Sequence, residues 1–157
     1  MKIKLITIGK TDKKYFIQGI EEYTKRLKHY IKYESIVIPD IKKNKKLDEN
    51  LQKKIEGELI LKQIQNTDFV VLLDENGDSF SSVKFAKFIE NQTLKSLKNL
   101  IFIIGGPYGF SDEVYKAANK KIALSEMTFS HQMVRLIFVE QLYRAFTIIK
   151  GEPYHHQ

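Results

Sequence analysis

The chain contains no cysteine, so disulfides, thiolate metal sites and a cysteine nucleophile are excluded. No apolar run approaches the roughly 20 residues that a membrane-spanning helix needs. Met1–Ile8 reads as a strand and lacks the apolar core and small-residue cleavage site of a signal peptide. A cytoplasmic location with no membrane partner is the expectation. No G-x-G-x-x-G follows the first strand and no Walker A lysine occurs with its serine or threonine, which argues against a dinucleotide-binding enzyme and a nucleotide hydrolase. Histidines are few and none are spaced i,i+4. His131 stands alone near a helix start, and His155-His156 is too small a set for a metal, so no metal site is expected.

What is present fits one domain over 1–157. The 157 residues are 43% hydrophobic and 11% aromatic, enough for a single respectable core. Charge is uneven: residues 1–66 hold 16 Lys/Arg and 9 Asp/Glu, whereas 67–157 hold 10 of each, so the whole net charge of +7 is N-terminal. It peaks at Lys42-Lys43-Asn44-Lys45-Lys46, a surface loop, with Lys53-Lys54 soon after. Such a patch recruits a polyanion by counterion release, and nucleic acid is the natural partner; on charge alone a solvated lysine-rich face fits as well.

Apolar periodicity alternates strand and helix. A strand over about 2–8 precedes a helix over about 13–30 with Phe16, Ile20, Tyr23, Leu27 and Tyr30 at helical spacing. A strand at Ser35–Ile38 stops at Pro39, and the next helix carries Leu51, Ile55, Leu59 and Ile64 near one face. Asp68–Asp74 is a β-rich run without alternation, the pattern of a parallel strand buried on both faces. Asn76-Gly77 reads as a turn, Ser81 or Ser82 as the cap of a helix with Val83, Ala86 and Ile89, and Leu100–Ile104 as a second buried strand. Ser111 is placed to cap a short helix whose first turn holds Asp112-Glu113; Ile122–Leu124 is a short fifth strand; and the last helix runs over about 130–150, closed by Gly151 and Pro153. Five strands alternating with helices predict an α/β fold: a mostly parallel sheet covered on both faces.

The last helix is apolar around most of its axis, with Val134, Phe138 and Leu142 on one side and Met133, Leu136 and Ile137 on another, which predicts burial nearly all round and one face packed on a second copy. The exception is a polar stripe of Glu140, Arg144 and Thr147. Glu140 and Arg144 read either as an exposed i,i+4 ion pair or as charges held at a dimer seam beside a ligand. Gly105-Gly106-Pro107-Tyr108-Gly109 ends a buried strand where α/β folds place ligands, since backbone without Cβ approaches a cofactor closely. The residues alone stop at a ligand-binding α/β domain.

Taken together, Val71–Gly77, Ile103–Gly109, Leu124–Arg135, Glu140–Ala145 and Gly151–His155 resemble, in that order, the bacterial ribosomal large-subunit pseudouridine methyltransferases of type H, knotted enzymes of the SPOUT class. The opening Ile6–Lys10 and the Glu21–Leu27 helix share the resemblance, which covers essentially the whole chain; Ser130 stands where many relatives have proline. The resemblance implies a deep trefoil knot within about 99–150, a homodimer, S-adenosylmethionine as cofactor, and N3-methylation of a pseudouridine in helix 69 of 23S ribosomal RNA on the assembled ribosome. It places the cofactor at Leu73, Gly105, Leu124, Ser125, Glu126, Met127, Thr128 and Phe129. His131 would close the pocket or help with the proton, Arg144 would contact phosphate or base with Glu140 orienting it, and Tyr154 and His155 of the polar tail 151–157 would close over the base, completing the partner's site. The alternatives are a non-enzymatic ribosome-binding or RNA-binding factor and a SPOUT methyltransferase acting on transfer RNA.

Overall fold

The computed structural model describes residues 1–41 and 48–156. The lysine run expected as a loop, Lys42–Lys46, and the last tail residue, Gln157, lie outside the described residues. Ten elements alternate along the chain: β1 (Lys2–Ile8), α1 (Lys14–Leu27), β2 (Lys32–Ile38), α2 (Glu49–Leu61), β3 (Phe69–Ser79), α3 (Ser82–Leu94), β4 (Asn99–Ile104), α4 (Asp112–Ala117), β5 (Lys120–Ala123) and α5 (His131–Lys150). The strands form one five-stranded sheet in the order β2-β1-β4-β3-β5, and every pairing is parallel.

Strand side chains alternate between the two faces, and here both faces are apolar. Ile3 and Leu5, Val71, and Leu100, Phe102 and Ile104 enter the core shared with α1, α3 and α5. Ile6 and Ile8, Val70 and Leu72, and Ile101 and Ile103 enter the core shared with α2 and α4. This explains the unbroken apolar runs in β3 and β4. Phe102 and Phe138 are fully buried with ring centroids 4.8 Å apart, joining the sheet to the middle of α5; a side chain of this kind contributes about 1.5–3 kcal/mol by leaving water.

Serine and aspartate start the helices as their side chains allow. Asp48, Ser81, Ser111 and Ser130 accept from the backbone N–H of Leu51, Lys84, Val114 and Met133. Lys13, before α1, has no such oxygen. Gln132 of α5 holds the approach to the helix, its Oε1 accepting from the backbone N–H of Asp12 and of Lys13, each at 3.1 Å. Gly151 closes α5 in the left-handed region with φ 68°.

Several expectations are corrected. Asn76-Gly77 is no turn: β3 runs through it to Ser79, with its register against β5 slipping between Leu73 and Asp78. A Cβ on Gly77 would lie 2.6 Å from the backbone nitrogen of Ile122, so the glycine serves close strand approach rather than reversal. In α2 the buried face is Gln52, Glu56, Gly57 and Ile60, while Leu51 is exposed, Ile55 and Leu59 are half-buried and Ile64 lies past the helix end. The helix over 13–30 ends at Leu27, β2 begins at Lys32, three residues early, and β5 ends at Ala123. Val83 is exposed on α3.

Within the single chain the burial of α5 is partial, which leaves the face expected to pack on a second copy. Met133 is exposed, and Val134, Leu136, Ile137, Ile148 and Ile149 are half-buried. Thr147, expected on the polar stripe, is fully buried, its Oγ1 donating to the Arg144 carbonyl at 2.8 Å.

Candidate functional site

Parallel strands deliver their carboxyl ends to one edge of the sheet, and here the ends of β4 and β5 meet the middle of β3. After β4 the chain enters Gly105-Gly106, and the Gly109 N–H donates to the Gly106 carbonyl at 3.1 Å, closing a small loop. With Leu73 from β3 and the segment between β5 and α5, this loop encloses a cavity of ≈ 240 Å³. Of the eight residues expected at a cofactor, seven line it: Leu73, Gly105, Leu124, Ser125, Met127, Thr128 and Phe129. Glu126 is exposed and lies outside the lining. Ser125 shapes the segment by accepting from the Met127 N–H at 2.9 Å. His131, the first residue of α5, joins the wall with Val134. Burial, and then the positive charge of Arg135, hold the His131 imidazole below the usual histidine range, against an opposing pull from Asp40.

Two acids at the cavity were not anticipated. Asp74 and Glu75 follow Leu73 in the lining. Asp74 is held from both sides: its Oδ2 accepts from the Tyr115 hydroxyl at 2.5 Å and its Oδ1 from the Asn76 N–H at 2.8 Å. Burial first, then this carboxylate, push the Tyr115 phenol up to about 12.

Behind the glycine loop sits Glu56 of α2, buried in spite of its charge. Its Oε1 accepts from Gln52 Nε2 at 2.8 Å, and Oε2 has no partner among the described residues. A Cβ on Gly106 would fall 2.8 Å from the Glu56 carboxyl carbon, so any larger residue there requires this carboxyl to move. Burial raises the Glu56 pKa. Arg135 is buried as well. Its Nη2 donates to the Ile8 carbonyl at 2.6 Å and its Nη1 to Thr11 Oγ1 at 3.0 Å, tying the end of β1 to α5. Neither residue announces itself: Glu56 falls on the face that the apolar spacing leaves outside, and an arginine one turn into a helix reads as solvated. The signal available for Arg135 is its i,i+4 spacing from His131.

The remaining expected residues gather elsewhere. Arg144 Nε and Nη2 both donate to Glu140 Oε1, at 3.1 and 2.5 Å, while Gln141 Nε2 donates to Glu140 Oε2 at 2.8 Å. The Tyr154 hydroxyl donates to the same Glu140 Oε1 at 3.0 Å and lies 3.2 Å from the Tyr23 hydroxyl. The Arg144 guanidinium covers the Tyr154 ring at 4.7 Å, and its Nη1 is 3.4 Å from His155 Nδ1. Tyr154 is therefore docked on its own α5, edge-on to Tyr143 at 4.8 Å, although the tail reads as too polar for the core. Burial, with Tyr23 and Glu140, raises the Tyr154 pKa, so it stays a phenol. Glu140, Arg144, Tyr154 and His155 thus form one cluster and His131 is not part of it; thirteen residues of α5 separate His131 from Arg144, about 20 Å at 1.5 Å per residue.

Among the described residues no group of three or more histidine, aspartate or glutamate side chains is placed to hold a metal ion, and no helix is long and apolar enough to cross a membrane.

A ribosomal RNA large subunit methyltransferase H of Christiangramia forsetii is 66% identical over 157 residues, covering all of both chains. One of Parabacteroides distasonis is 59% identical over the same full length. The structure of a tRNA (m1G37) methyltransferase from Aquifex aeolicus superposes with a TM-score of 0.54 at 15% identity, covering 100% of this chain and 76% of that one, which shows a shared fold. A family model described as "Predicted SPOUT methyltransferase" matches residues 1–155, and with these full-length relatives it establishes that the chain belongs to the SPOUT methyltransferases, beside the ribosomal RNA large subunit methyltransferases H.

Proposed function

We propose that this chain is a cytoplasmic enzyme that moves the methyl group of S-adenosylmethionine to N3 of a pseudouridine in helix 69 of 23S ribosomal RNA, working as a homodimer on the assembled ribosome. The observation that carries the reading is the cavity between the middle of β3 and the ends of β4 and β5, where seven of the eight residues expected from the resemblance come together. The lining fits the cofactor's chemistry. Leu73, Leu124 and Phe129 offer apolar surface to an adenine, the glycine loop lets backbone come close, and Asp74 and Glu75 are acids suited to a cationic ligand. When bound, the cofactor supplies an activated methyl on a sulfonium; the protein's tasks are orientation, the N3 proton and exclusion of water. His131 stands in the wall, where a ring nitrogen would accept that proton. Arg144, held by Glu140, meets a phosphate or the base, and Tyr154 and His155 close over it.

The distance along α5 supports the dimer. A pocket at its first turn and a cluster about 20 Å further on belong to one site only if the cluster comes from a second copy. Val134, Ile137, Gln141, Arg144 and Ile148, all half-buried, make a continuous stripe on α5 for that copy to cover. Membership of the SPOUT methyltransferases supports the deep trefoil knot within about 99–150, as does the strand order, with β4 between β1 and β3 and β5 beyond β3. The test is calorimetric titration with S-adenosylmethionine followed by methyl transfer to ribosomes, to protein-free 23S RNA and to transfer RNA. Saturable binding with transfer to ribosomes is expected. Ribosome binding without cofactor binding would identify a non-catalytic factor, and transfer to transfer RNA alone would move the substrate.

A further inference from the structure

The segment Lys10–Tyr15, between β1 and the first turn of α1, combines three features that the proposed chemistry leaves unused. It is fastened to the start of α5. Besides the two backbone bonds to Gln132 Oε1, Gln132 Nε2 donates to Asp12 Oδ1 at 2.7 Å and Arg135 Nη1 donates to Thr11 Oγ1. Since His131 in the pocket wall is the neighbour of Gln132 in the first turn of α5, the segment is held next to that wall. It is cationic, with Lys10, Lys13 and Lys14 all exposed against the one acid Asp12. It also ends in an aromatic ring left in water: Tyr15 is 63% exposed, steadied by the buried Phe16 with ring centroids 4.5 Å apart. Ammonium groups beside a steadied, solvent-facing ring are the composition of a stacking platform for single-stranded nucleic acid, where the ring takes a base and the cations follow the backbone.

We propose that Lys10–Tyr15 is the RNA-contacting rim of the site, with Tyr15 stacked on an unpaired base next to the one that is methylated and Lys10, Lys13 and Lys14 on the adjoining phosphates. The inference rests on the ribosomal RNA methyltransferase reading. Within one domain the rim fills a need, because a base reached in a cavity at the sheet edge has its neighbours lying across whatever surrounds the mouth. Phosphate contacts position the strand and stacking fixes the flanking base.

The experiment uses the full chain and assembled ribosomes, with Tyr15→Ala, Tyr15→Phe and the double variant Lys13→Ala/Lys14→Ala, and with cofactor affinity and oligomeric state measured for each. Tyr15→Ala is expected to raise the apparent KM for ribosomes roughly ten-fold or more with kcat and cofactor affinity little changed, and Tyr15→Phe to restore it. The lysine variant is expected to flatten the salt dependence of ribosome binding by about 0.7 in log–log slope for each phosphate that is no longer neutralised. An unchanged KM in Tyr15→Ala overturns the rim. Dissociation of the oligomer in that variant overturns it too, by making Tyr15 a subunit contact. Wild-type protein that fails to methylate ribosomes would instead remove the underlying reading, and the rim with it.

Discussion

Burial strengthens the hold of Glu56 on its proton; the Gln52 amide acts against this, and the charge of Asp40 adds to it. The native carboxyl therefore protonates more readily than the unfolded one, and the native state binds more protons above the ordinary glutamate pKa of about 4.3. The contribution of this group to stability is complete below that value and is lost as pH rises through the higher native pKa. Glu56→Gln is expected to leave a flatter dependence of urea midpoint on pH between mildly acid and neutral conditions, and parallel profiles for the two proteins would contradict it. Arg144 is constrained differently. Its two donors converge on one oxygen of Glu140 while its plane covers Tyr154, a fork that lysine cannot reproduce. Arg144→Lys is expected to lower single-turnover methyl transfer by about 100-fold while cofactor binding, read by calorimetry, stays as in the wild type. An equal loss of both would place Arg144 in the cofactor pocket.

Among the elements, β4 and α5 carry the most. Phe138 joins them through Phe102, and Phe138→Ala is expected to destabilise by about 3–5 kcal/mol, read from the denaturant midpoint at unchanged m-value. At the loop after β4, Gly106→Ala drives a methyl group into the Glu56 carboxyl. It is expected to weaken cofactor binding well beyond any loss in melting temperature, whereas a proportional loss of both would mean the loop matters only to folding. The existence and order of these elements were legible because apolar spacing, serine caps and the closing Gly151 act locally. The double-sided runs Phe69–Leu73 and Leu100–Ile104 also marked their own burial. What the spacing hid was set by tertiary contact. Gly77 reads as a turn until the β5 backbone lies beside it, α2 turns its charged Glu56 inward because Gly106 leaves room, and Tyr154 leaves solvent because Tyr143 and Arg144 offer it a surface. The cavity itself was legible only through resemblance, since backbone-lined pockets carry no signature side chain.

For the whole molecule, the separation of pocket and tail cluster along one helix makes a shared site the economical arrangement, each copy supplying a cavity to one site and a tail to the other. An isologous pair of this kind has two equivalent sites, so damage to the two halves should be separable between subunits. The direct measurement mixes two variants, Gly106→Ala in the glycine loop behind the pocket and Arg144→Ala in the cluster that α5 forms with the tail, allows subunits to exchange, and follows methyl transfer from S-adenosylmethionine to assembled ribosomes. Recovery of activity on mixing, absent from either variant alone, is the predicted result, because half of each mixed dimer then joins an intact pocket to an intact tail. Mixed dimers that form and remain inactive would contradict a site built from both copies.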